Sequence, residues 1–372
     1  MRLTSPPPVD DAGASARPVP KVRTGGHGFA GRDRSQDEAV HPSAPEGSAG
    51  EVAPGDDVLA PPAPPRGPRP HLPSDARRGW RRTLAGYVAL TKPRVIELLL
   101  VTTLPTMILA ERGLPSLWLV LATLVGGAGA AGSANVLNCY IDRDIDQVMN
   151  RTKRRGTATG EISGPAALTF GLVLGAVSLA WLWFVVNAVS ALLTAGAILL
   201  YVVGYTMILK RRTPQNIVWG GAAGCMPVLI GWSAVTQGVS WEAALLFGVV
   251  FFWTPPHYWP LSMKFRRDYE AAGVPMLPVV AEDTKVAREM VAYTLAMIAC
   301  TLVLWPVASL TWVYGLVATG AGAWFLWSCL SLWRRAKDPS RGPLKAMKVF
   351  HASITYLTIV CLAICVDVFL PF

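Results

Sequence analysis

Charge is what this sequence has least of. Only 16% of its 372 residues are Asp, Glu, Lys or Arg, where a soluble globular domain carries about a quarter, so an ordinary solvated surface is excluded for most of the chain. Cysteine is sparse as well. The six (Cys139, Cys225, Cys300, Cys329, Cys361 and Cys365) fall in or at the ends of apolar stretches and form no Cys-x-x-Cys, so they read as buried free thiols. No apolar run follows the first residues: Ser5-Pro6-Pro7-Pro8-Val9-Asp10-Asp11 is not the basic start and hydrophobic stretch of a signal peptide, and its acids argue against a mitochondrial presequence.

What the chain does have is hydrophobic side chains, 52% of the total, gathered in blocks of about twenty. That is the length a helix needs to cross a hydrocarbon core of roughly 30 Å; membrane strands would alternate instead. The pattern predicts an all-α fold, a polytopic bundle of about nine transmembrane helices near 94–111, 116–138, 165–187, 189–209, 216–237, 241–262, 289–308, 312–333 and 349–370. The first eighty or so residues are different material. They hold half of the thirty prolines among Gly, Ser, Ala and mixed charges, and cannot bury enough apolar surface to offset their ordering entropy. Residues 1–83 therefore read as a disordered tail, and 84–372 as the membrane domain.

A net charge of +10 raises the question of nucleic acid, and its location answers it. Residues 1–82 are nearly balanced, with 12 Lys/Arg against 10 Asp/Glu, so a surplus of eight lies in the membrane domain. It sits in alternate loops: Arg143, Arg151, Lys153, Arg154 and Arg155; Lys210, Arg211 and Arg212; Lys264, Arg266, Arg267, Lys285 and Arg288; and Arg334 to Lys348. The opposite loops hold only Arg112. Such asymmetry marks membrane orientation rather than a nucleic-acid face: the tail and the long loops are expected in the cytoplasm and the C-terminus outside. The missing presequence favours a bacterial plasma membrane. The two longest loops follow helices four apart and each opens on acids, which hints at an internally duplicated bundle.

The most informative segment is Asn138-Cys-Tyr-Ile-Asp142-Arg-Asp144-Ile-Asp146, at the cytoplasmic end of the second span. If the helix continues, positions 138, 142 and 146 advance by about 40° per step and share an arc of about 80°. An amide and two carboxylates then face the bundle interior, while Asp144 points to solvent. Like charges at i, i+4 destabilise a helix and are costly at the mouth of an apolar bundle, so they need a cation. Mg²⁺ takes one or two carboxylates and completes its shell with phosphate oxygens, a chemistry suited to a diphosphate. Arg151 and Arg155 follow at once and can grip the remaining oxygens. The plainer readings are solvated acids at a helix end and inside-positive arginines.

In the second segment, Trp253-Thr-Pro255-Pro256-His257-Tyr-Trp-Pro260, three prolines in six positions predict a broken helix. In a membrane such a break persists only where it lines a cavity or is covered by protein, which displays His257 into a cleft. Asp268 opens the second long loop and can set a carboxylate opposite Asp142 and Asp146, or serve Arg266 and Arg267 structurally. Lys210 and Asn216 can border the phosphate site; for them and for Thr91-Lys92-Pro93-Arg94, membrane-edge anchoring is as good a reading as substrate contact. Glu97 and Asp367 are isolated acids with no assigned role.

Asn138-x3-Asp142-x3-Asp146 with Arg151-Thr152 downstream resembles the first acidic motif of the UbiA-type intramembrane prenyltransferases. Within that family, Lys92-Pro-Arg94-Val-Ile, Tyr140-Ile-Asp-Arg-Asp-Ile-Asp146, Pro255-Pro-His257 and Asp268-Tyr-x3-Gly273-Val-Pro-Met-Leu-Pro278 resemble the branch that farnesylates protoheme IX, over roughly residues 86–372. The resemblance implies nine helices around a central cavity and two acidic loops holding Mg²⁺ and farnesyl diphosphate. It implies heme B as acceptor and a downstream heme A synthase as a partner. On this reading Asn138, Asp142, Asp146 and Asp268 are catalytic, the three aspartates bind the metal, and Arg151, Arg155 and Lys210 bind diphosphate. His257 either ligates the heme iron or bonds to backbone freed by the prolines. Two positions depart from the family pattern: Gly156 replaces a proline, and Lys264 stands where a second Asp-x3-Asp would begin, which weakens metal ligation by the second loop. Rival readings are a prenyltransferase for a quinone precursor or chlorophyll-like ring, and a cation-coupled transporter, whose acids would sit near mid-span.

Overall fold

The computed structural model describes residues 79–371, with the side chains of 94–100 excepted. The predicted tail lies outside the described residues except for its last few positions. These open α1 (Trp80–Thr91), a helix that hydrophobic-run length alone does not reveal, because it is short and begins with arginines. Lys92 then adopts a left-handed conformation, φ 56°, and Pro93 starts α2 (Pro93–Glu111). The fixed φ of proline suits a first helical turn, and the left-handed residue before it turns the chain from α1 into the bundle.

Eight further long helices follow: α3 (Leu117–Ile141), α5 (Gly164–Trp181), α6 (Ala188–Leu199), α7 (Asn216–Thr236), α8 (Trp241–Lys264), α11 (Asp283–Val307), α12 (Trp312–Lys337) and α13 (Ala346–Asp367). Short helices occupy the long loops: α4 (Arg143–Val148) after α3, and α9 (Arg266–Ala271) and α10 (Leu277–Val280) after α8. π-Helical turns extend α5 to Val186 and α6 to Leu209. Among the described residues these nine long helices, α2 included, overlap the predicted spans, and seven are long and apolar enough to cross a membrane, which is compatible with the expected count of about nine. The molecule is an all-α, multi-pass membrane protein.

Each long helix packs on the next in chain order and α13 returns to α2, so the bundle closes on itself; α2 also packs on α7 and α8 on α13. Small residues let α3 and α5 approach closely: a methyl group at Gly129 would stand 2.3 Å from Ser178 Oγ, and one at Gly175 2.7 Å from Ser133 Oγ. In lipid, where no hydrophobic force separates helix from solvent, such contact area and interhelical hydrogen bonds hold helices together. At one end Arg112 Nη1 donates to the Ala308 carbonyl at 2.5 Å. There too the buried Asp367 accepts from Thr311 N, Thr311 Oγ1 and Tyr314 N at 2.8, 2.5 and 3.2 Å, so this isolated acid caps the start of α12.

The expected break in α8 does not occur. Pro255, Pro256 and Pro260 all lie inside one continuous helix. Proline φ is compatible with a helix; its cost is the missing N–H and the crowded carbonyl one turn back. Here α7, α11 and α13 cover α8, and Thr254 Oγ1 donates to the Val250 carbonyl at 2.9 Å. Cover of this kind by neighbouring helices makes membrane prolines tolerable.

Candidate active site

Helical hydrogen bonding carries on from α3 into α4, with Asp142 N donating to Asn138 O and Asp146 N to Asp142 O, both at 2.9 Å. The common face predicted for the three side chains is therefore real. Asn138, Asp142 and Asp146 are 3%, 0% and 1% exposed, whereas the Asp144 side chain is 59% exposed and pairs with Arg211 at 2.7 Å. That guanidinium holds the Asp144 carboxyl down at about 2.

The buried acids are matched by cations from three loops. Asp142 Oδ2 receives Lys210 Nζ in a short contact and Asn138 Nδ2 at 2.7 Å. Asp146 takes Arg155 Nη1 on both oxygens, at 2.9 and 2.7 Å. Lys92 Nζ donates to Asn138 Oδ1 at 2.8 Å, which fixes the amide so that its nitrogen faces Asp142. Burial pushes the Lys92 ammonium down to about 8. Lys92 and Lys210 thus join the acidic motif directly instead of only anchoring the membrane edge. Asn216 is buried in α7, and its Nδ2 donates to the Lys210 carbonyl at 3.3 Å.

The second loop closes over the first. Asp268 accepts from Asn150 Nδ2 at 3.1 Å and from Arg151 N at 3.3 Å, and Arg151 Nη2 donates to Tyr269 Oη at 3.2 Å. Tyr269 Oη in turn lies 2.9 Å from Tyr258 Oη. Gly273, at φ 65°, turns the chain out of α9, a conformation that costs glycine little. Asp268 is therefore brought to the rim of the site but not against Asp142 or Asp146. Among the described residues no three His, Cys, Asp or Glu side chains gather around one point. The three carboxylates form no cage of their own.

Below the acids lies a cavity of about 440 Å³, lined almost wholly by apolar atoms and by Tyr201, Tyr205, Trp253, His257 and Tyr258 among others. His257 reaches it from the unbroken α8. Its ring is stacked between Trp253 and Phe350, centroids 4.1 and 4.7 Å away, and its Nδ1 lies 2.8 Å from Ser353 Oγ. The proline-freed backbone is not its partner. Asn150, Tyr258, Tyr269 and Ser353 went unnoticed in the sequence. Of these only Asn150 and Tyr269 carried a signal, as neighbours of Arg151 and Asp268.

Whether such a site suits Mg²⁺ turns on its donors. Asp142 Oδ1 is a buried carboxylate oxygen with no hydrogen bond, although Arg211 stands 3.5 Å from it. Hard anionic oxygens beside basic side chains are what Mg²⁺ prefers when part of its shell is left to phosphate. The residues fit the ion.

A closed bundle of membrane helices, with a carboxylate motif and a ring of cations beside an apolar cavity, suits an intramembrane enzyme that acts on a molecule with an anionic headgroup and an apolar tail. Residues 99–354 match the UbiA prenyltransferase family, and the chain belongs to that family. It is 59% identical over 291 residues to the protoheme IX farnesyltransferase of Paenarthrobacter aurescens, covering 78% of this chain and 91% of that one. Among solved structures it resembles a digeranylgeranylglyceryl phosphate synthase (TM-score 0.63, 16% identity, 77% and 98% of the two chains covered). It also resembles a UbiA homolog from Archaeoglobus fulgidus bound to GPP and Mg²⁺ (TM-score 0.50, 17% identity, 76% and 99% covered). At such identities the two structures speak for the fold.

Proposed function

We propose that this chain transfers the farnesyl group of farnesyl diphosphate to a vinyl group of heme B, giving heme O and diphosphate. The observation that carries the reading is the pair of buried carboxylates, Asp142 and Asp146, set at the mouth of an apolar cavity beside five basic side chains. The likeness to a protoheme IX farnesyltransferase over most of both chains supplies the acceptor. The acids lie at one membrane face and not at mid-span, which disfavours the transporter reading.

Asp142 and Asp146 would hold Mg²⁺, with Asp268 at the rim. The ion would supply positive charge against the diphosphate as the allylic carbon–oxygen bond breaks. The chain's own cations do the rest. Lys210 and Arg155, which pair with the two acids in the free protein, and Arg151 of the first loop would donate to the diphosphate oxygens. Lys92 and Asn138 keep the Asp142 carboxylate oriented. The farnesyl chain lies in the apolar cavity, where its cation is shielded from early quenching by water. The heme vinyl attacks it, and water then adds to the new cation on the porphyrin side and loses a proton to the released diphosphate or to solvent, giving the hydroxyethylfarnesyl group, a substrate for a downstream heme A synthase. His257 holds heme B. The basic loops support a site on the cytoplasmic side of a bacterial plasma membrane.

Labelled farnesyl diphosphate offered with Mg²⁺ to membranes containing the protein, in parallel with heme B and with a quinone-ring precursor, tests this. Label should move to heme B alone. Label on the quinone ring would replace the acceptor, and no transfer to either would remove the activity.

A further inference from the structure

Ser353, wholly buried on α13, makes two hydrogen bonds with a single proton. Its Oγ lies 2.6 Å from the Phe350 carbonyl and 2.8 Å from His257 Nδ1. A carbonyl only accepts, so both contacts are hydrogen bonds at once only with the hydroxyl proton directed to Phe350. What remains on Ser353 Oγ is lone pairs, and Nδ1 must be the donor. A neutral imidazole carries one proton.

We infer that Ser353 fixes His257 in the Nδ1–H tautomer, so that Nε2 presents a lone pair to the cavity as the ligand for heme iron. Three further observations support that orientation. Trp253 and Phe350 cover both faces of the ring, and Ser353 takes its Nδ1 edge. Trp253 Nε1 donates to the Ser353 carbonyl at 2.7 Å, so the clamp is itself tied between α8 and α13. Nε2 has no hydrogen-bond partner among the described residues, although His257 lines the cavity. Metal-binding histidines commonly have the second nitrogen fixed in this way by an outer partner, which sets the tautomer and aims the ring. Ser353 is thus a positioning residue acting through His257. The opposite tautomer would offer the cavity an N–H, which cannot ligate iron.

The ligand half of this inference rests on heme B as the acceptor; the tautomer half does not. Nitrogen NMR of the full chain labelled with ¹⁵N-histidine, with the His257 signals assigned by their loss in His257→Gln, reads the tautomer in the wild-type protein. The expected result is a protonated Nδ1 and a bare Nε2; a protonated Nε2 overturns the inference. Ser353→Ala should weaken heme B binding by about 10–100-fold and alter the heme absorption spectrum, with farnesyl diphosphate affinity unchanged. Ser353→Thr, which keeps the hydroxyl, should restore both. Unchanged heme affinity and spectrum in a folded Ser353→Ala protein overturn the positioning role. Failure of the wild-type protein to bind heme B overturns the ligand assignment and the acceptor with it, whatever the tautomer.

Discussion

Asp142→Asn is the perturbation that separates substrate chemistry from internal charge balance. Asp142 is 0% and Lys210 12% exposed in their side chains, so the single change leaves an ammonium without its anion in a nearly sealed site. Removing one partner of a buried pair costs about 3–5 kcal/mol of stability, whereas replacing both with groups of similar volume is close to neutral. Asp142→Asn should therefore unfold earlier on heating in detergent, and adding Lys210→Met should recover most of that loss. Activity should behave otherwise. If Asp142 Oδ1 is left bare in order to hold a metal against the diphosphate, the Asn variant falls on the order of 10²–10³-fold, the effect of removing one preorganised charge partner. The double variant stays as low or drops further, because Lys210 also faces the diphosphate. The assay is labelled farnesyl transfer to heme B in membranes matched for protein amount, beside a melting curve of the purified protein. Recovery of both stability and activity in the double variant would refute the reasoning, since Asp142 would then only balance Lys210.

Asp146→Ala should abolish transfer in an inserted protein, while Asp144→Ala keeps most of it, because an exposed ion pair contributes at most about 1 kcal/mol; residual activity above about a tenth in Asp146→Ala would count against its role. Removing residues 1–78 should leave turnover intact, whereas removal through Lys92 should abolish it, because Lys92 holds Asn138; rates normalised to membrane content decide both. Burial lowers Lys92 from 10.5 to about 8, so between those values the unfolded chain binds the extra proton and this group's contribution to stability rises with pH. Melting curves of wild type and Lys92→Met across that window should diverge in that direction. Gly220→Ala would place a methyl 2.2 Å from Tyr205 Cδ2, pushing the ring into the cavity; binding of both apolar substrates should weaken, as measured by titration.

The spans were legible because lipid demands about twenty apolar residues per crossing, and Asn138, Asp142 and Asp146 because a 3.6-residue repeat places them on one face. α1 was not legible: Trp80-Arg81-Arg82 opens a helix whose buried side is small, with Leu90 its one buried residue. The α8 prolines misled because their cost is local, while the packing that tolerates them comes from helices distant in sequence. His257 was singled out by those prolines, but its setting was not, since Ser353 lies 96 residues away. Pairings such as Lys210 with Asp142 and Asp268 with Asn150 are likewise products of bundle closure. Sequence spacing carries no trace of them.

The central claim is a metal-assisted farnesyl transfer to heme B at the Asp142–Asp146 site. Mass spectrometry of the heme recovered after incubating purified protein with heme B, farnesyl diphosphate and Mg²⁺ tests it most directly. The account predicts heme carrying one farnesyl and one hydroxyl group, formed by the wild type, lost when a chelator removes the metal and absent in Asp142→Ala and Asp146→Ala. Unmodified heme from an active-site-intact, folded protein, or equal product from the aspartate variants, would contradict it.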